Sequence, residues 1–362
     1  MNFLVFLYKE IVQFFRNRGL LFFALYAFTL DIYLAATGIN LSLRNAKFYV
    51  QDYDLSYYSR DLVSKFPSTV FKLKGYLFSD KDLERVLLSD KALGVIRIPQ
   101  NFEKRIKRGE KTEVGIVVNG SEVAASYLFS AYATQIISKF LFGIFPVQLP
   151  LEVKTRVFFN QDSSSRLFMA YSELLTVITL FLILLPASAV VLEKERGNIE
   201  MLIVSPVSNY VFMVAKTVSM GILILTFTFL ALYFTIGLWV KAPFKGSILD
   251  FMLLTAIYVF TSSGLSMFIA SLSSNMLQVS QLTILILIPI LYLSGNWTPI
   301  EAMPKVLQYL SVLSPLKYYI DGALSIAIKG MTLMELYKDA LLLTAQGLAL
   351  FLLGNFFMLK KL

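Results

Sequence analysis

Six runs of apolar residues limit what this chain can fold into: about 20–41, 167–192, 211–240, 248–271, 278–294 and 340–359. Each is close to the roughly 20 residues that a helix rising 1.5 Å per residue needs to cross a hydrocarbon core about 30 Å thick. Backbone in lipid must satisfy its own hydrogen bonds, so such runs are expected to be helical. Five of the six follow residue 166, whereas residues 44–165 read as an ordinary water-exposed domain. The composition agrees, with 57% apolar residues, 16% charged residues and a mean hydropathy of +0.67. The expected fold is an α-helical polytopic membrane protein: six transmembrane helices plus an α/β extracytoplasmic domain inserted between spans 1 and 2.

Charge gives the layout a direction. Arg16 and Arg18 precede the first run, and Lys360 and Lys361 follow the last. The positive-inside bias then places both termini in the cytoplasm, which requires an even number of spans. The inserted domain falls outside and the loop 193–210 inside, with Lys241 and Lys245 as external exceptions. The net charge of +9 follows from basic residues at span ends, and no basic stripe interleaved with aromatics suggests nucleic acid. In residues 1–19, Lys9, Gln13 and Arg16 recur at helical spacing, with Phe3, Leu7, Phe14 and Phe15 largely elsewhere. That pattern predicts an amphipathic helix in the membrane interface. The first apolar run exceeds the h-region of a signal peptide and reads as an uncleaved anchor.

Within residues 44–165, strand-like stretches at 47–52, 93–98 and 114–118 alternate with helix signals. Ser79 with Asp82 predicts a capped helix to Leu88, and Ser121-Glu122 opens a longer one to about residue 140. Such alternation argues for an α/β or α+β fold.

The chain has no cysteine and no histidine. Disulfides, thiolate metal sites and the commonest general base are thereby excluded. No Gly-Lys dipeptide occurs, so there is no phosphate-cradling loop, and ATP-driven work needs a separate subunit. No catalytic residue, metal site or cofactor is expected on this chain. Two ionisable residues fall inside spans: Asp31, about 16 Å from the inner end of the first, and Glu173, about 9 Å from the outer end of the second. Charge in lipid is costly, so such groups face a cavity or a partner. They either line a path for cationic or amphipathic substrate or sit protonated and hydrogen-bonded between helices. Gln281 and Asn296 are lesser candidates for that path, since neutral amides often join helices. Pro299, Pro304 and Pro315 make residues 295–328 too irregular for a lipid-facing span.

The loop 193–210 carries the most information. Alternating charges leave the second span, Gly197 permits a break, Ile199–Val204 is apolar, and Ser205-Pro206 turns the chain. The stretch Glu193-Lys194-Glu195-Arg196-Gly197-Asn198-Ile199-Glu200, followed by Val204-Ser205-Pro206-Val207, resembles the signature of permease subunits of type-2 ABC exporters, in the subgroup with a large external domain. Asn198 stands where that family usually has Thr. Further similar landmarks run along the whole chain. They include Val50–Ser56, Gly94–Pro99 with Phe102, Val118–Ser121, Phe159-Asn160, Leu293–Ile300, Met303-Pro304 and Leu313–Pro315. Ala170-Tyr171 stands where the family has a Pro-Gly pair.

The resemblance implies a prokaryotic cytoplasmic (inner) membrane protein that works as a homodimer or closely related heterodimer with two ABC ATPase subunits. ATP and Mg would be held by those partners. Glu193, Glu195, Arg196, Gly197, Glu200 and Pro206 would form the segment that couples to the ATPase, together with the N-terminal helix. Residues 295–328 would form outer re-entrant helices, and a periplasmic adaptor is a further candidate partner. Drugs, lipids and ions are the implied substrate classes. The alternative is ATP-coupled mechanotransmission or signalling, in which the external domain binds a partner and nothing is transported.

Overall fold

The computed structural model describes residues 3–38, 45–89, 91–118, 123–144, 165–197, 209–298 and 300–361. The chain divides into two compact units, Met1–Ile39 with Val157–Leu362, and Asn40–Arg156.

Among the described residues, the first unit holds six helices long and apolar enough to cross a membrane. They are Arg18–Gly38, Ser165–Glu195, Val211–Val240, Ile248–Leu272, Met276–Leu293 and Tyr337–Met358, called here the first to sixth spans. The second is the central one: 89% of its most apolar window is buried, against 22% for the fifth. It has 31 residues, about 46 Å at 1.5 Å per residue, well beyond a core about 30 Å thick. Glu193, Lys194 and Glu195, expected in the loop, therefore form its last helical turn. Glu and Lys are good helix formers, so nothing local stops the helix at residue 192.

Polar groups inside the bundle join helices. The first span passes through a π-helical turn at Ala27–Asp31, and the Thr235 hydroxyl of the third span donates to the Phe28 carbonyl there at 3.0 Å. The fourth and sixth spans meet backbone to backbone. A Cβ on Gly264 would overlap the Leu350 carbonyl, and one on Gly354 would overlap the Gly264 carbonyl. Thr261 seals the same seam by donating to the Leu343 carbonyl at 3.0 Å. Small residues allow this approach, which drives helix association where apolar burial cannot. Gly264→Leu is expected to destabilise the fold by about 3 kcal/mol through overpacking, with Gly38→Ala, which meets no atom within 4 Å, as the neutral control. Thermal unfolding in micelles measures both.

After the fifth span the chain folds back through two short helices, Lys305–Ser311 and Pro315–Leu324. Leu316, Tyr319, Ile320 and Ala323 of the second are buried. Tyr319 stacks on Tyr258 of the fourth span with ring centroids 4.1 Å apart, and its hydroxyl lies 3.0 Å from the Thr255 hydroxyl. Pro304 and Pro315 thus punctuate a fold-back that protein covers, the setting irregular backbone requires in a membrane protein, while Pro299 lies outside the described residues.

The inserted unit is built on a four-stranded sheet of order β2-β1-β3-β4, with β1 Ala46–Asp52, β2 Phe71–Tyr76, β3 Gly94–Ile98 and β4 Gly115–Val118. β1 runs parallel to β2 and β3, and β4 antiparallel to β3. The parallel pairs need crossovers, supplied by helices Tyr57–Ser64 and Asp80–Leu88. Ser79 caps the latter by accepting from the Lys81 N–H rather than through Asp82. Ser121 and Glu122 lie outside the described residues, and the long helix is described over Val123–Ile144.

Sequence reading missed β2, an edge strand whose Phe-Lys-Leu-Lys alternation is mostly exposed. The Val50–Ser56 motif has a structural cause. The Asp52 carboxylate accepts from the N–H groups of Asp54 and Leu55 and from the Ser59 hydroxyl. Leu55 takes a positive φ of 52°, and Ser56 caps the next helix through the Ser59 N–H. Short polar side chains that bond nearby backbone set such turns.

Candidate functional site

The N-terminal helix, Phe3–Arg16, buries Phe6, Glu10 and Phe14, three residues spaced i, i+4 and i+8 and so on one face. Phe6 meets Phe212 edge-on at 6.1 Å, and Phe14 meets Phe227 at 5.9 Å, both on the third span. Asn17 then interrupts the helix, and its side chain accepts from the Leu20 N–H to start the first span. The polar face read from the sequence was incomplete, because Glu10 lies within the apolar stripe. Phe3 and Phe15, expected on the apolar face, are exposed.

Glu10 belongs to a cluster of four alternating charges. Lys216 of the third span places its Nζ 2.8 Å from Glu10 Oε1 and 3.7 Å from Glu193 Oε1. Lys9 places its Nζ 2.8 Å from Glu193 Oε1 and 3.7 Å from Glu10 Oε1. The side chains of Glu10, Glu193 and Lys216 are at most 2% exposed, while Lys9 is 45% exposed. Buried charges are tolerable when paired, and these four sum to zero. The ammonium of Lys216 also lies 4.8 Å from the Phe212 ring centroid, a cation–π contact strengthened by burial.

The next two residues extend the connections. Lys194 Nζ donates to the carbonyls of Ala270, at 2.7 Å, and Ser273, at 3.5 Å, where the fourth span ends. Glu195 Oε1 accepts from the Met276 N–H, at 2.8 Å, where the fifth span begins. A cation at a helix C-terminus and an anion at an N-terminus each complement the free backbone groups and the dipole. Three consecutive residues thus tie the second span to the N-terminal helix and to the third, fourth and fifth spans. Gly197, with φ 69°, lets the chain leave the helix in the left-handed region. Arg196 is exposed beside it. Glu200 and Pro206 lie outside the described residues.

Toward the other end of the second span lies a second polar group. Asp31 of the first span and Glu173 of the second lie close enough for their carboxyls to interact. The neighbouring Ser172 hydroxyl donates to Asn296 Oδ1 at 2.6 Å, and Asn296 Nδ2 donates to Thr176 Oγ1 at 3.4 Å. Asn296 therefore joins the segment after the fifth span to the second. Gln281 stands apart, exposed on the fifth span, about 18 Å along that helix from its end at Leu293 at 1.5 Å per residue.

Lys9, Glu10 and Lys216 were not anticipated from sequence. Lys216 carried a usable signal, since it lies six residues into an apolar run and an ionisable residue there needs a partner. Glu10 carried a weaker one, its spacing from Phe6 and Phe14.

The family model described as "ABC-2 family transporter protein" matches residues 19–356. The chain is 28% identical over 348 residues to the inner membrane transport permease YhhJ of Escherichia coli (strain K12), covering 95% of this chain and 93% of the relative. It is 24% identical over 309 residues to the probable multidrug ABC transporter permease YbhR of the same organism, covering 84% and 83%. A third relative, the probable multidrug ABC transporter permease YbhS, is 22% identical over 282 residues, covering 74% and 72%.

Proposed function

This chain belongs to the ABC-2 family of transporter proteins as the transmembrane permease subunit of an ABC transporter, and we propose that it is an exporter driven through the last turn of its second span. The ATPase of such a system is a separate subunit, which would hold the ATP and Mg. The observation that carries the reading is the set of contacts made by Glu193, Lys194 and Glu195: hydrogen bonds to the N-terminal helix and the fourth and fifth spans, and the 3.7 Å ion pair to Lys216 of the third. A push on the loop that follows would reach all of them together. Glu193, Glu195, Arg196, Gly197, Glu200 and Pro206 form the coupling segment in this reading, with the N-terminal helix beside it.

The basic residues at the span ends support cytoplasmic termini and an external position for the inserted unit. The similarity to the inner membrane permease YhhJ supports the inner membrane of a prokaryote. The fold-back at 300–329 would be the re-entrant element of the outer side. A second copy, or a close relative, completes the permease, and a periplasmic adaptor would meet the external unit. The Asp31–Glu173 pair would meet the charged end of a cationic amphiphile, with Asn296 holding the adjoining segment in place. Gln281 is left outside that path. The names of YbhR and YbhS support drug-like substrates.

The test is reconstitution with the co-purifying ATPase into vesicles loaded with a fluorescent lipophilic cation. ATP-dependent cation movement is expected. Asp31→Asn with Glu173→Gln should slow it about tenfold, because the intramembrane charge is lost, while a neutral analogue is less affected. Hydrolysis with no movement of any probe would instead favour mechanotransmission by the inserted unit.

A further inference from the structure

We propose that the Lys9–Glu10–Glu193–Lys216 cluster is an exchange latch that lets the N-terminal helix leave the spans without stranding a charge. This rests on the coupling role assigned above. Lys9 and Glu10 are carried by the N-terminal helix, and Glu193 and Lys216 by the second and third spans. Each half is therefore neutral by itself. In the docked arrangement the 2.8 Å bonds run between the halves, Lys9 to Glu193 and Lys216 to Glu10. The contacts within each half, Lys9 to Glu10 and Lys216 to Glu193, already stand at 3.7 Å. Shortening those two contacts to bonding distance lets the cross bonds open while every charge keeps a partner.

A simple two-charge latch behaves differently. If Glu10 and Lys216 were alone, undocking would expose an unpaired buried charge on the spans, at a cost of several kcal/mol. The square of charges removes that barrier, and the stripe of Phe6 and Phe14 on Phe212 and Phe227 contributes non-directional contact that tolerates a slide. Space for the exchange exists beside it. A cavity of about 30 Å³ is lined by Glu10, Phe14, Ser188 and Met220 among others. Glu10 Oε2 and Ser188 Oγ are buried there without a partner among the described residues. The volume suits about two water molecules, enough to solvate the Glu10 carboxylate while it changes partner. Lys9, Glu10 and Lys216 are thus positioning residues for coupling.

The absence of cysteine makes the test direct. Phe6→Cys with Phe212→Cys, at a ring contact of 6.1 Å, reports docking through a short thiol cross-linker in the purified permease–ATPase complex. Cross-linking should be high without nucleotide and fall severalfold in the vanadate-trapped complex. Lys9→Glu with Glu10→Lys keeps both halves neutral but sets like charges across the joint, so the nucleotide-free yield should fall about tenfold. Adding Glu193→Lys and Lys216→Glu restores opposite charges and should return the yield to within about twofold of the starting value. Glu10→Met with Lys216→Met leaves one cross pair with no partner to exchange, and should hold the yield high in every nucleotide state while transport is lost.

A yield unaffected by the Lys9/Glu10 inversion would overturn the latch. So would a nucleotide response in the Glu10/Lys216 double Met variant equal to that of the parent. If the parent complex shows no ATPase association at all, the coupling reading fails instead, and the inversion and its reversal still judge the latch without nucleotide.

Discussion

Lys216→Met is expected to lower the folding stability of the permease by about 3–5 kcal/mol, the usual cost of removing one member of a buried ion pair. The lysine is the closest cation to Glu10 and the second cation near Glu193. Without it two buried carboxylates share the single, half-exposed Lys9. The loss should be mostly a penalty on the survivors rather than the value of the bond itself. Glu10→Met together with Lys216→Met is therefore expected to recover most of it, because the remaining Lys9–Glu193 pair is neutral and the new side chains join Phe6, Phe14 and Phe212. Unfolding in micelles of the wild type, both single variants and the double variant gives the coupling energy as a double-mutant cycle. A Lys216→Met variant within about 1 kcal/mol of wild type would mean that water reaches the cluster freely, as exposed ion pairs contribute about that much or less.

Lys194→Ala with Glu195→Ala is expected to leave ATP hydrolysis by the complex running while transport per ATP falls between about 5-fold and 150-fold, the span of typical coupling energies between sites. The two side chains bond the end of the fourth span and the start of the fifth. Cutting them leaves the second span able to move without its neighbours. Substitution of the exposed Arg196 separates a different role. Arg196→Ala should weaken ATPase association without lowering the stability of the permease itself, as surface substitutions usually change stability little. Parallel measurement of hydrolysis, transport and subunit affinity in one reconstituted complex distinguishes these outcomes. Equal losses of hydrolysis and transport in the Lys194/Glu195 variant would place those residues in the ATPase contact instead.

Much of this protein is legible without coordinates. Span number and approximate limits follow from the length of apolar runs, because crossing a hydrocarbon layer is a constraint each helix meets alone. The inserted unit between the first two runs stands out for the same reason, and the Glu193–Glu200 stretch carries the local resemblance to the family's signature. Asp31 and Glu173 are visible as charges inside spans, and the structure brings them together. Local reading failed at β2, whose alternating lysines make it resemble a surface loop until β1 pairs with it. It also failed at the end of the second span, where helix-forming Glu and Lys carry the helix past the apolar boundary.

The charge cluster lay beyond its reach. Glu10 and Lys216 are 206 positions apart, and Lys9 and Glu193 are 184 apart. Each looks alone like an ordinary charge near a membrane surface. Sequence by itself determined that the chain carries six apolar runs long enough to cross a bilayer and that a charged stretch follows the second. Only the packing of the N-terminal helix against the third span decided that Glu10 would be buried, and hence that Lys216, Glu193 and Lys9 must surround it. Burial makes an unpaired charge costly, and burial is a property of the assembled bundle rather than of any one segment.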